Sequence, residues 1–332
     1  MTHKKDLPMK SLAQVLPVVA LAAVSLALSA VTTAACGGTA ATSDAGADTA
    51  APPTTGTSTS TAPPGTDGGG APDAIATDGA TSAGCWQALS IPDVSTMGNA
   101  GAGYAAPKVA GACEGAEFVI RSNGIPTFEY VPLTPNGLQA KNYAFKIPRA
   151  PAAAATPTAI PLLGAVAVSV TGIPIFGPTE NPMDGYRDPF LDDRLRNLLD
   201  DCNGHTAPQG TYHFHARPEC VMVALGGEKR GLVLGWSFDG YPILAPLVCT
   251  DAACATTKRV KSSWKSTLAE YTEATRGPAW DIHAYEAGLG DLDKCNGLPI
   301  TEAGAKYDYA YFATDTFPYF MGCYHGTPTP NR

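Results

Sequence analysis

The chain has 332 residues and a formal net charge of −8 at neutral pH. Such an acidic balance gives no electrostatic footprint for nucleic acid, so the predicted functions exclude a nucleic-acid partner. The length is sufficient for one large domain or two small ones, but the composition changes along the chain and indicates that one part does not fold.

Residues 1–35 have the pattern of an export signal. A lysine-containing start precedes an apolar run over 15–28 that is shorter than the ~20 residues of a spanning helix, and no later stretch qualifies as a membrane span. Small residues then lead into Cys36, and they resemble a bacterial lipobox, in which the cysteine is lipidated. We predict a lipoprotein signal peptide and attachment to a membrane through lipidated Cys36. Ordinary secretory cleavage nearby is the alternative.

A low-complexity segment follows over 36–84. It consists of Ala, Thr, Ser, Gly, Pro and Asp, with Ile75 as its only large apolar residue, so burial cannot offset the entropy of folding. We predict a disordered linker that holds a folded domain, 85–332, to the cell envelope outside the cytoplasm, at the outer membrane or the cell surface.

Eight cysteines remain after Cys36, an even number that suits disulfides in an oxidising compartment. Eight cysteines allow 105 pairings, so sequence alone does not fix the connectivity. Thiolate metal ligands are disfavoured because no Cys-x-x-Cys pair occurs. Pairing of nearest neighbours predicts four bridges: Cys85 with Cys113, Cys202 with Cys220, Cys249 with Cys254, and Cys295 with Cys323.

The elements of the domain read mostly as short strands. Alternating or continuous apolar residues and flanking turn residues predict five of them, over 118–121, 127–131, 142–147, 164–170 and 232–238. The segment 151–161 reads as a loop. One clear helix is predicted near 189–200, because Asp188 suits an N-cap, Pro189 suits the first helical position and leucines follow at helical spacing.

Three of the six histidines lie directly after this helix, at His205, His213 and His215. Residues 211–215 alternate in the period of a strand, so Tyr212 and Phe214 face one way and the two histidines the other. Neutral histidine is a ligand for Zn, Cu and Fe, and a hairpin would bring His205 beside the strand. The alternative is a polar strand face satisfied by hydrogen bonds.

Two parts of the domain repeat each other. Gly-Ile-Pro-Ile-Phe-Gly-Pro at 172–178 matches Gly-Tyr-Pro-Ile-Leu-Ala-Pro at 240–246. Likewise, Cys-Asn-Gly at 202–204 recurs at 295–297. Such self-similarity is typical of a domain made from two copies of one unit.

The alignment extends to Tyr-His-Phe-His at 212–215, which faces Tyr-Ala-Tyr-Phe at 309–312. We therefore predict a mainly β, β-sandwich-like domain with few helices, built from two diverged units over about 164–220 and 231–323. Features needed for folding should appear in both copies. The histidines of the tetrapeptide appear only in the first, which favours a function for them.

Three further residues are candidates for a place near the three histidines. Asp239 follows an apolar strand, where it either caps the Gly-Tyr-Pro turn or serves as a ligand or as an acceptor that fixes a histidine tautomer. His283 and His325 lie in the second copy, where each is also suited to a structural or surface role. A pseudo-twofold arrangement would bring one of them near the first copy.

Around these histidines the chain resembles the YHYH-domain family, named for a Tyr-His-Tyr-His tetrapeptide. The resemblance covers about 118–328 and rests on the segments 201–205, 210–215, 235–242 and 317–323. Phe214 stands where the family name has Tyr. The resemblance implies an exported, often membrane-tethered bacterial protein, and it implies no particular reaction.

The leading hypothesis is a lipid-anchored, disulfide-stabilised domain that binds Zn, Cu or Fe through His205, His213 and His215, with Asp239 or His283 as a fourth group. Metal-dependent hydrolysis or oxidation would need an open coordination position, and no reaction is predicted. The second hypothesis is a surface module that binds a glycan or protein partner without metal, through the aromatic residues Tyr212, Trp236, Tyr241 and Trp280. A third is a purely structural envelope protein.

Overall fold

The computed structural model describes residues 84–330 apart from 181–184, 252 and 303. The predicted signal peptide over 1–35, the predicted lipidation site Cys36 and the predicted linker as far as residue 83 lie outside the described residues. Within the part of the chain that is described, no helix has the length and apolarity needed to cross a membrane.

The described chain is mainly β, as predicted, and its helices are short. The strands up to the histidine motif are β1 Val109–Glu114, β2 Glu117–Ser122, β3 Tyr143–Pro148, β4 Ala153–Thr158, β5 Ala165–Ser169, β6 Pro174–Phe176, β7 Gly204–Ala207 and β8 Thr211–Phe214. Those after it are β9 Val233–Ser237, β10 Pro242–Leu244, β11 Leu247–Cys249, β12 Thr257–Arg259, β13 Trp264–Ser266, β14 His283–Tyr285, β15 Gly297–Pro299, β16 Tyr309–Phe312 and β17 Tyr324–Gly326. The helical segments are α1 Asp193–Arg196, α2 Glu219–Ala224 and the 3-10 turns Trp86–Ser90, Val94–Thr96 and Pro208–Gly210.

An eight-stranded sheet organises the domain, in the order β7, β8, β6, β5, β9, β10, β16, β15. Its centre is the antiparallel pair β5 and β9, in which Val168 faces Trp236. On each side the same sequence of pairings follows: an antiparallel hairpin partner, a parallel strand and an antiparallel edge strand. The sheet thus consists of two halves with the same topology, which confirms the predicted pair of diverged units.

A second layer covers one part of this sheet. Strands β1, β2 and β3 form an antiparallel sheet whose aromatic side chains pack against the large one. The ring of Phe118 lies 5.7 Å from that of Trp236, and Phe145 lies 6.0 Å from Phe238. Apolar residues of both layers belong to one main core, so the arrangement is sandwich-like.

Four disulfides cross-link the domain, and they are the pairs predicted from the sequence. The bridges are Cys85–Cys113, Cys202–Cys220, Cys249–Cys254 and Cys295–Cys323. The second and fourth occupy equivalent places in the two halves, on either side of the hairpins β7–β8 and β15–β16. Each bridge closes a short stretch of chain, which restricts the unfolded state locally.

The helix predicted over 189–200 is reduced to the single turn α1. Asp192, rather than Asp188, is the N-cap: its backbone is extended and its carboxylate accepts a hydrogen bond from the backbone N–H of Arg194. That carboxylate also pairs with the Arg187 guanidinium at 2.8 Å. The extended residue interrupts the leucine-spaced segment, and its carboxylate is also contacted by the hydroxyl of the distant Tyr271 at 3.4 Å, so side-chain contacts override the local helical pattern.

Two other predictions of local structure are wrong. Residues 127–131 form no strand; instead the Tyr130 hydroxyl contacts the Thr206 hydroxyl at 3.0 Å, which holds this segment against β7. The predicted loop over 151–161 contains β4, because that segment pairs with β17 near the end of the described chain. A partner so distant in sequence leaves no signal in the local composition.

Candidate metal centre

The hairpin β7–β8 carries the three histidines, and the turn before it is locally determined. The carboxylate of Asp200 accepts hydrogen bonds from the backbone of Cys202 and Gly204 and from the Tyr212 hydroxyl. Asn203 adopts a left-handed φ of 60°. A Cβ at Gly204 would lie 2.4 Å from the Tyr212 hydroxyl oxygen, so only glycine fits there.

Strand alternation separates the aromatic and histidine side chains, as predicted. Tyr212 and Phe214 are buried in the main core. His213 and His215 share the other face, and His205 lies directly opposite His213 in the strand register. The three imidazole centroids are 4.7 to 5.2 Å apart.

Glu180 completes this group. It follows β6, which runs parallel to β8 as its neighbour in the sheet. One carboxylate oxygen, Oε2, lies 3.0 Å from Nε2 of His215 and 3.5 Å from Nε2 of His205. One atom from each of Glu180, His205, His213 and His215 lies within 4.8 Å of all the others, a separation that would allow them to hold a metal ion.

The hydrogen bonds of the imidazoles fix which nitrogen faces the centre. Nδ1 of His213 lies 3.2 Å from the carbonyl oxygen of Thr211, and Nδ1 of His215 lies 3.1 Å from that of Gly177. A carbonyl oxygen only accepts, so both Nδ1 atoms carry the hydrogen and both Nε2 atoms carry a lone pair. These two Nε2 atoms are 2.9 Å apart. Two facing lone pairs need a proton or a cation between them.

His205 supplies a third available nitrogen. Its imidazole is buried, and neither ring nitrogen makes a hydrogen bond within the described residues. Buried polar atoms without partners are costly, and a bound cation would satisfy Nε2. Zinc–nitrogen bonds of ~2.0–2.1 Å in a tetrahedron place ligand atoms roughly 3.3 Å apart. Three of the six separations in the cluster are 2.9, 3.0 and 3.5 Å, and all lie within 4.8 Å. The donor set therefore fits a transition metal.

Burial and mutual contact set the protonation of the group. Burial lowers the pKa of His213 well below its usual value, and the neighbouring His215 and His205 lower it further. Burial alone would raise the pKa of Glu180, but hydrogen bonds and positive charge from His205 and His215 in their protonated forms outweigh this effect and hold that pKa well below its usual value. A neutral imidazole at His213 and an ionised carboxylate are the metal-binding forms of these side chains.

Asp239, predicted as one candidate for the fourth ligand, does not lie in this cluster. Its carboxylate accepts hydrogen bonds from the Tyr311 hydroxyl at 2.5 Å and from the backbone of Gly326 at 2.8 Å. It also accepts from the backbone of Tyr241 at 3.4 Å. Asp239 thus organises the turn after β9 in the second half, which is its structural interpretation.

His283, the other predicted fourth group, also lies elsewhere. Its Nδ1 donates to the carbonyl oxygen of Ala279 at 2.8 Å, and its ring stacks on Phe317 with centroids 3.9 Å apart. Its Nε2 lies 3.7 Å from the carboxylate of Asp188. His283 therefore packs against Asp188 of the first unit, but it is not among the four residues whose ligand atoms converge.

Sequence reasoning missed Glu180, although a usable signal was present. In the repeat alignment Glu180 matches Val248, just as His205 matches Leu298. The same asymmetry that singled out His213 and His215 therefore applies to the carboxylate. Its position shortly after β6, the strand parallel to β8, supplies the spatial reason.

The aromatic residues proposed for a glycan or protein surface are mainly core residues. Tyr212, Trp236 and Tyr241 are buried, and Trp236 donates from its indole nitrogen to the Ser90 hydroxyl at 2.9 Å. Trp280 is partly buried against Trp264 and Phe317. Three of the four predicted contacts are therefore inaccessible to a partner.

Comparison with known proteins supports the resemblance read from the histidine motif. The family model described as YHYH protein matches residues 144–326, a range that includes both halves of the large sheet and all four residues of the cluster. No curated protein and no solved structure matches significantly. The family match covers more than half of the chain, and the protein belongs to the YHYH family.

Proposed function

We propose that this YHYH protein binds one transition-metal ion through Glu180, His205, His213 and His215, as an exported domain held to the cell envelope by lipidated Cys36. Imidazole nitrogen and carboxylate oxygen suit Zn, Cu or Fe, and the lack of thiolate donors argues against a preference for soft ions. The proposed activity is metal binding.

The observation that carries the metal proposal is the 2.9 Å approach of Nε2 in His213 to Nε2 in His215 while both Nδ1 atoms face backbone carbonyls. A simple hydrogen-bonded pair would need one imidazole to carry hydrogens on both nitrogens. Burial lowers the pKa of His213, which opposes that charged form at this imidazole. A shared cation accounts for both nitrogens, for the unpartnered His205 and for Glu180 at once.

Elemental analysis of the purified protein tests this proposal directly. After reloading with Zn, Cu or Fe and removal of excess metal, the wild type should retain about one equivalent of at least one of them. The double variant His213→Ala, His215→Ala should retain none. The control is His283→Ala, which removes a buried histidine outside the cluster and should keep the metal. Absence of stoichiometric metal in the wild type would refute the proposal.

The envelope location is supported by different observations. The eight described cysteines are all paired, as expected in an oxidising compartment. The sequence before the domain has the order of signal, cysteine and polar linker. Metabolic labelling with a radioactive fatty acid should mark the wild type and not Cys36→Ala. Equal labelling of both proteins would show that Cys36 is not the lipidated residue.

A further inference from the structure

The four residues of the cluster differ in how firmly the fold holds them. The side chains of His205 and His215 are 4% and 0% exposed, whereas that of Glu180 is 22% exposed. His213 is buried as well, with the Phe176 ring stacked on it at a centroid distance of 3.8 Å. Solvent therefore reaches the cluster from the Glu180 side.

The anchoring of the side chains shows the same difference. His213 and His215 are each oriented by a backbone carbonyl, and His205 is restricted by its burial on β7 opposite His213. The backbone of Glu180 is paired with that of Arg187 in both directions. Its carboxylate has contacts only with imidazoles among the described residues. Without these contacts, its side chain has no second group to hold it in place.

The second half shows what the equivalent side of the sheet looks like without the ligands. Val248, the counterpart of Glu180, lines an open cleft of about 730 Å³ together with Leu298 and Phe312. Those two residues are the counterparts of His205 and His215. The shared topology therefore leaves this side accessible in the second half, where the apolar Val248 stands in the place of Glu180.

The charge balance of the cluster restricts which ligands would replace the Glu180 carboxylate on a divalent metal ion. Three neutral imidazoles leave the charge of the ion uncompensated, and an uncompensated charge in a mostly buried site is costly. Glu180 supplies the one negative charge of the cluster. A replacement that is itself an anion preserves the charge balance, whereas a neutral group does not.

We infer that Glu180 is the exchangeable ligand of the centre and that small anions with an oxygen or nitrogen donor bind the metal in its place. This inference rests on the proposed function. It makes the centre a site for exogenous ligands rather than a closed structural site, which would hold four fixed ligands.

Cobalt(II) is a suitable probe, because its visible absorption changes with the number and kind of ligands. The full chain would be loaded with cobalt(II) and titrated with azide as wild type, Glu180→Ala, Glu180→Gln and His213→Ala. Glu219→Ala is the control, since it removes an exposed carboxylate that pairs with Arg217 outside the cluster. Circular dichroism verifies that each variant is folded.

Azide should change the spectrum of the wild type and should bind at least tenfold more tightly to both Glu180 variants, because the carboxylate no longer competes. Both variants should keep one equivalent of cobalt with affinity reduced by about 10- to 100-fold, whereas His213→Ala should lose it. Equal azide affinity in wild type and variants, or complete loss of cobalt from the Glu180 variants, would overturn the inference while metal binding by the wild type stands. Failure of the wild type to bind cobalt or any other metal would instead refute the proposed function.

Discussion

The two halves of the large sheet share one topology and differ in what fills the same place. In the first half the positions around the hairpin hold Glu180, His205, His213 and His215. In the second half the aligned positions hold Val248, Leu298, Ala310 and Phe312, which belong to an apolar cluster with Leu244 and Val260. Folding of the unit therefore does not need the glutamate and the three histidines, because apolar side chains pack at the same positions in the second half.

The framework around these positions is conserved between the halves in detail. Asp200 and Asp293 each accept hydrogen bonds from the backbone of the Cys-Asn-Gly turn and from a tyrosine hydroxyl. Asn203 and Asn296 both adopt a left-handed φ. Around the two hairpins the difference thus lies in the side chains that point away from the main core, which is where a functional site can change without loss of the fold.

The largest expected effect concerns a position that both halves need. Phe214 and its counterpart Tyr311 are fully buried. Truncation to alanine should destabilise each variant by about 3–5 kcal/mol, because a large aromatic side chain leaves a cavity. Urea unfolding of Phe214→Ala and Tyr311→Ala measures both losses. If only one of the two variants lost stability, the two positions would not be equivalent in the two halves.

A buried acid of the first half should give the next effect. Burial raises the pKa of Asp188 to about 6, despite hydrogen bonds from Phe190 and Tyr319 that favour ionisation. In the unfolded state the pKa of an aspartate is ~3.9. The contribution of Asp188 to the free energy of unfolding is therefore fully present below pH 4, and about 3 kcal/mol is lost as the pH rises through 6. Unfolding in a chelator should show this decline in the wild type and not in Asp188→Asn. Asp193→Asn, at an exposed position, should retain it.

Metal should stabilise the protein through the first half alone. Free zinc at about 100 times its dissociation constant should raise the free energy of unfolding by ~2.7 kcal/mol, since only the folded state presents the four ligands together. The variant His213→Ala, His215→Ala should show no increase, and Phe312→Leu in the second half should respond like the wild type. Zinc-dependent stabilisation of the histidine variant would contradict the assignment of the ligands.

The smallest predicted effect again tests the shared framework. The Tyr212 hydroxyl donates to Asp200 at 2.6 Å, and the Tyr309 hydroxyl donates to Asp293 at 3.0 Å. Removal of either hydroxyl should cost about 2 kcal/mol, because the carboxylate loses a hydrogen bond in a buried place. Urea unfolding of Tyr212→Phe and Tyr309→Phe should give similar losses. A difference above about 1.4 kcal/mol corresponds to a factor of ten in the unfolding equilibrium. Such a difference would show that one of the two turns is not stabilised by its tyrosine–aspartate hydrogen bond.

Sequence patterns predicted the parts of the fold that depend on local periodicity and on the repeat. The alternation in 211–215 placed Tyr212 in the core and His213 on the opposite face, and the disulfides followed from nearest-neighbour pairing. The two-unit architecture followed from self-similarity between 172–178 and 240–246. Each of these properties is carried by residues close together in the chain or by a comparison within it.

The remaining parts depended on contacts between distant residues. The strand β4 exists because of β17. The predicted helix is broken at Asp192, whose carboxylate accepts a hydrogen bond from the hydroxyl of the distant Tyr271 at 3.4 Å. In the site, three histidines were predicted from one short motif. Glu180 was missed because strand order, rather than sequence distance, brings it beside His215.

The antiparallel pair of β5 and β9 has a consequence for how the two halves are joined. Val168 and Trp236 occupy equivalent positions in the repeat and face each other. An antiparallel edge contact of this kind is self-complementary, as in a symmetric homodimer. The single chain thus has the geometry of two half-length units joined edge to edge. One unit holds the ligand cluster and the other holds an apolar cluster at the equivalent place.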